Sequence, residues 1–140
     1  MGARSVADPK CELSHANTRA FLDRFAGCCD TLVRDVLIRY SADGTRVVRV
    51  RLSARDYVAA PDGEWICLEI EMRNVSKYHF ADEPNDTAVV IKHGINIVWS
   101  GTAVGIDFGY LASDPETMEE LFESKFFAIG EGVAYSTSAD

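Results

Sequence analysis

The sequence predicts an α+β fold: a mostly antiparallel sheet of about six or seven strands, with an N-terminal helix and a second helix before the last strand. Three observations carry this expectation. Apolar and polar residues alternate at a period of two through residues 31–55, 66–73 and 88–110. Helical spacing is confined to two short stretches, 14–27 and 113–123. Turn residues such as Asp43-Gly44, Asp62-Gly63 and Ser100-Gly101 punctuate the alternating runs.

In residues 14–27, Ala20, Phe21 and Phe25 share one face, Ser14 or Asn17 can cap the start, and Gly27 can end the helix. The next two runs face each other across Ala42-Asp43-Gly44. A three-residue loop with Gly44 in the left-handed region pairs Ile38 with Val48, Val36 with Val50 and Asp35 with Arg51, which keeps each face consistent. Residues 66–73 form the clearest strand: Ile66, Leu68, Ile70 and Met72 alternate with Cys67, Glu69, Glu71 and Arg73. Placed beside the first hairpin, its glutamates lie over Arg39, Arg49 and Arg51.

Residues 75–80 continue or restart extended structure, and 82–86 form an acidic loop. A second hairpin, 88–99 with 102–110, is expected to set Trp99 opposite Thr102 and Ile97 opposite Val104 about a Ser100-Gly101 turn. His93-Gly94 falls in its first arm as a bulge or a break. A second helix starts at Ser113, whose spacing to Glu116 is that of a capping box, with Met118, Leu121 and Phe122 as its buried stripe. Residues 125–135 return as a terminal strand bent at Gly130 and Gly132.

The 140 residues, 47% hydrophobic and 26% charged, suit one domain over 1–140, with loose ends at 1–12 and 136–140. The sequence holds no apolar run of membrane-spanning length and no apolar signal core in its first ten residues, so a cytoplasmic location is expected. Its four cysteines lack C-x-x-C spacing. Free thiols are expected, with no metal site and no cofactor.

The net charge of −8 is unevenly spread. Residues 1–60 hold ten basic and seven acidic side chains, whereas 61–140 hold four and fifteen. Such a chain is poorly suited to nucleic acid or anionic lipid and better suited to a basic protein. Asp82, Glu83 and Asp86 in the loop, with Glu116, Glu119, Glu120 and Glu123 on the second helix, are the expected partner-binding residues.

No nucleophile with its base, carboxylate pair or phosphate loop is legible, so no catalytic residue is predicted. The rival reading is a ligand-binding domain or small enzyme with a pocket between sheet and helices, offering His79, His93, Asp107 and Tyr110 as polar groups. Against that reading, Asp107 points away from the expected core toward Gly94 or Asn96, a place that suits a hydrogen-bonded turn partner better than a catalyst. A third reading is a structural domain that forms homodimers or larger homo-oligomers through an exposed strand edge.

The segments Ile38-Arg39-Tyr40-Ser41-Ala42-Asp43-Gly44-Thr45, His93-Gly94-Ile95-Asn96-Ile97-Val98-Trp99, Ile106-Asp107-Phe108-Gly109 and Ser124-Lys125-Phe126-Phe127-Ala128-Ile129-Gly130 together resemble those of small uncharacterised bacterial α+β proteins. Small acidic proteins of this look include immunity-type proteins that block a toxin partner. The resemblance carries over no established activity; the likeness to immunity-type proteins is one of fold, and it is the acidic surface that leads to the expectation of a non-catalytic inhibitor or immunity-type protein.

Overall fold

The computed structural model describes residues 10–58, 60–81, 89–111 and 114–139. It is mostly antiparallel sheet with two short helices, and its strands form two sheets of six and four rather than one meander of six or seven. The first sheet has the order β1 (Cys11–Glu12), β10 (Gly132–Ala139), β4 (Glu64–Arg73), β3 (Arg46–Asp56), β2 (Thr31–Tyr40), β6 (Val89–Ile91). The second has the order β5 (Lys77–Phe80), β9 (Phe126–Gly130), β8 (Ala103–Asp107), β7 (Asn96–Ser100).

The first hairpin has the expected register: Ile38 faces Val48, Val36 faces Val50, and Asp35 faces Arg51. Ser41 N–H donates to the Thr45 carbonyl at 2.8 Å across the three-residue loop, and Gly44 has φ +86°. In β4, Leu68, Ile70 and Met72 are fully buried and Ile66 nearly so. β4 pairs with β3 so that Glu71 faces Arg49 and Glu69 faces Arg51, as the sequence led us to expect; Arg39 instead pairs with Val47.

Three strand runs are interrupted where the chain passes from one sheet to the other. After β4 it turns at Asn74, φ +50°, and restarts as β5. The expected long arm 88–99 breaks at residues 92–95 into β6 and β7, and the terminal run breaks at Glu131 into β9 and β10. Alternation lapses for only a few residues at each corner and resumes beyond it, so the pattern alone does not show that the strand has changed sheets.

The inward residues of both sheets merge in one apolar cluster. Val48, Val50, Leu52, Leu68, Ile70, Met72 and Val133 from the first sheet join Val104, Ile106, Phe126 and Ala128 from the second. Fully burying side chains of this size is worth about 1.5–3 kcal/mol each. The helices do not share this face.

Helix α1 (Thr18–Arg24) is shorter than expected and closes one end of the cluster. Phe21 lies 4.7 Å from the Tyr135 ring and 5.4 Å from Phe25, while Ala20 is exposed. Arg24 binds Asp56 through two hydrogen bonds of 3.1 and 2.7 Å, which anchors α1 to the end of β3. Helix α2 (Met118–Leu121) covers the other face of the second sheet, where Leu121 packs with Val98, Phe127 and Ile129. Gly105 admits it, since a Cβ there would collide with Leu121 Cδ1.

The cap of α2 is displaced from its expected place. Thr117 Oγ1 accepts from Glu120 N–H at 3.3 Å, and the Glu120 carboxylate accepts from Glu116 N–H. Ser113 lies outside the described residues. Phe122, expected in the buried stripe, is 49% exposed and carries Lys77 Nζ 4.0 Å from its ring centroid.

The second hairpin is shifted by two residues, with Ile97 opposite Ile106 and Trp99 opposite Val104. Its turn is Gly101-Thr102, which puts glycine first, where a two-residue hairpin turn favours it. An even shift leaves the faces unchanged. The ends are also tied down where described: Cys11 pairs with Tyr135, and Ser136–Ala139 pair with residues 66–69 of β4. Enough polar backbone is satisfied in these ladders to order segments whose side chains gave no such sign.

On the outer face of the first sheet, Glu71 accepts from Lys10 at 2.7 Å and from Arg49 at 2.9 Å. Burial pushes its carboxyl up, but these two cationic donors outweigh burial and hold it below the usual range. A depressed folded pKa stabilises above the unfolded value and is lost as pH falls through the folded one. Glu71→Gln should therefore cost about 1–2 kcal/mol in urea unfolding at pH 7. The gap from wild type should close as the pH is lowered below about 4; a gap unchanged at pH 3 would exclude this role.

Candidate functional site

Between α1 and the free edge of β7 runs a groove made of two adjoining cavities. One, of about 510 Å³, is lined by Asp23, Cys29, His93, Asn96 and Asp114 among others. The second, of about 420 Å³, reaches His15, Thr18, Val98, Trp99 and Glu116. Arg19, Leu22, Ile97 and Pro115 line both.

Local sequence builds the groove's two ends. After α1 the chain makes a tight turn through Ala26, Gly27 and Cys28 in which all three residues, and then Asp30, have φ between +52° and +67°. For three non-glycine residues this is strained backbone, held by surrounding contacts. Cys28 is fully buried, and burial, with a further contribution from Cys29, pushes its thiol up to about 12, which leaves it unreactive. Gly94 packs on this turn so closely that a Cβ would stand 2.7 Å from the Gly27 carbonyl oxygen. That approach lets Ile95 N–H donate to Gly27 O at 2.9 Å. At the other end, Trp99 Nε1 donates to Thr18 Oγ1 at 2.8 Å, tying β7 to α1.

The groove is acidic. Asp23, Asp114 and Glu116 line it; among the described residues Arg19 is its one lysine or arginine, and Arg19 lies 4.0 Å from Asp23. Beyond Glu116 the exposed carboxylates continue through Glu119, Glu120 and Glu123. Among the described residues none of these four glutamates is ion-paired. Asp82, Glu83 and Asp86, expected to extend the patch, lie outside the described residues.

The rival set His79, His93, Asp107 and Tyr110 is dispersed. His79 is on β5, at the opposite edge of the second sheet from β7, and sits edge-on to Phe127. His93 is exposed in the groove. Tyr110 is 49% exposed, with Lys125 Nζ 5.9 Å from its ring.

Asp107 is fully buried and is the turn partner expected of it. Its carboxylate accepts from Ser124 Oγ at 2.6 Å, Asn96 Nδ2 at 2.9 Å, Tyr110 N–H at 3.1 Å and Leu111 N–H at 3.2 Å. These bonds fix the end of β8, the start of β7 and the approach to β9 around one side chain. All four cysteines are unbridged. Among the described residues no three His, Cys, Asp or Glu side chains are grouped to hold a metal ion, and no helix is long and apolar enough to cross a membrane.

In comparisons with family models, curated proteins and solved structures, nothing matches this chain. The functional reading therefore rests on geometry and charge.

The groove residues Leu22, Asp23, Ile97, Trp99 and Asp114 were not singled out from sequence. Trp99 at the end of an alternating run is a weak signal for them. Which edge of β7 stays open depends on pairings distant in sequence, which periodicity does not encode.

Replacing Asp107 by Asn keeps its size but turns an amide donor toward donors. Asp107→Asn should lower stability by about 2–3 kcal/mol in denaturant unfolding, and Ser124→Ala by about 1 kcal/mol. Wild-type stability in Asp107→Asn would contradict the hub.

Proposed function

We propose that this chain is a non-catalytic protein-binding domain that docks a basic partner on the acidic surface running from the groove onto α2, in the manner of an inhibitor or immunity-type protein. The observation that carries the reading is the run of exposed carboxylates Glu116, Glu119, Glu120 and Glu123, none of them ion-paired among the described residues. Carboxylates left without internal cations keep their field for a partner, where they raise the encounter rate and penalise acidic competitors. Asp107, fully buried and accepting four hydrogen bonds, is occupied in holding turns together, which leaves it poorly suited to proton transfer.

A complex formed this way is sensitive to ionic strength, because the exposed charges are screened over about 10 Å at 0.1 M salt. A partner isolated from the protein's own cells should bind at least tenfold more weakly at 300 mM than at 50 mM salt. The triple reversal Glu119→Lys, Glu120→Lys, Glu123→Lys should weaken it by a similar factor in calorimetry at 50 mM. An affinity indifferent to both changes would remove the acidic surface from the function.

A further inference from the structure

The β7 edge beside α1 is a strand position that the fold begins to fill and then leaves. In a two-residue hairpin the closing pair, Ser100 and Ala103, exchanges backbone bonds, so Val98 and Asn96 also face β8 while Ile97 and Trp99 turn their N–H and C=O groups outward. Ile95 follows the same parity. Among the described residues its outward N–H is the one already taken, by the Gly27 carbonyl at 2.9 Å. Beyond that rung, no described strand pairs with this edge of β7.

We infer that the groove takes an extended, basic segment of a partner protein as an added strand on β7, an inference that rests on the protein-binding reading above. From Ile95 to Trp99 the edge spans about 13 Å at roughly 3.3 Å per residue, enough for a segment of about five residues. Ile97 and Trp99 offer its backbone two donors and two acceptors, and half-buried Leu22 forms an apolar wall for an alternate side chain. Asp23, Asp114 and Glu116 stand along the path, which selects Lys or Arg at the flanking positions. A second copy of this chain is a poor occupant, since each copy carries a net charge of −8 and would bring like charge to an acidic edge.

The test titrates the ¹⁵N-labelled full chain with a capped seven-residue peptide of alternating Lys and Val at 50 mM salt. Controls are the Glu/Val counterpart and a Lys/Val peptide N-methylated at alternate residues. The largest amide shifts should fall at Ile97 and Trp99, with Ile95 little changed. N-methylation of the face toward β7, and separately the double reversal Asp114→Lys, Glu116→Lys, should each weaken binding at least tenfold, and the Glu/Val peptide should not bind. The inference is overturned if no Lys/Val binding occurs, if N-methylation has no effect, if shifts centre on Glu119 and Glu120, or if the free protein dimerises through β7. Shifts confined to α2 would spare the acidic surface and remove the groove. A β7 response combined with partner affinity indifferent to reversal of Glu119, Glu120 and Glu123 would do the opposite.

Discussion

Mutual burial of the two sheets' inner faces is the constraint on which the other features depend. β3 and β4 present Val50, Leu52, Leu68 and Ile70 in adjacent register, and all four are fully excluded from solvent. Removing that much apolar surface from water offsets the backbone entropy of ordering long strands. The second sheet supplies the cover, and α1 closes one end of the shared core.

The open edge of β7 follows from the same arrangement. To cover the first sheet, the chain leaves it at Asn74 and at residues 92–95 and returns to it at Glu131, and each crossing requires a break in pairing. At the second exit Gly94 is drawn against the strained turn at Ala26–Cys28, and α1 is held near β7 through the Trp99–Thr18 hydrogen bond. The groove, with its cavities of about 510 and 420 Å³, remains between them. Edge strands are normally blunted by charge or covered; here acidic side chains flank the edge, and a helix stands beside it without filling it.

Local elements were legible where they depend on neighbours in sequence. The register of β2 against β3 followed from loop length and face consistency, and the buried flank of β4 followed from its alternation. The partition into two sheets was not legible, because the period of two resumes after each short corner and looks like one strand with a local irregularity. The cap of α2 was displaced for a related reason: two Ser/Thr-x-x-Glu patterns, at Ser113 and Thr117, lie one turn apart, and tertiary packing of Leu121 over Gly105 accompanies the second. Of the site, the exposure of Glu116, Glu119, Glu120 and Glu123 was readable from sequence. The groove was not, since its walls come from α1 and β7, which meet only through long-range pairing.

The dry flank of β4 is tested most directly by comparing adjacent residues that point to opposite faces. Leu68→Ala and Ile70→Ala should each lose about 2–5 kcal/mol in denaturant unfolding, while Glu69→Ala between them should lose under about 1 kcal/mol. Equal losses at all three positions, or a larger loss at Glu69, would contradict the two-sheet core.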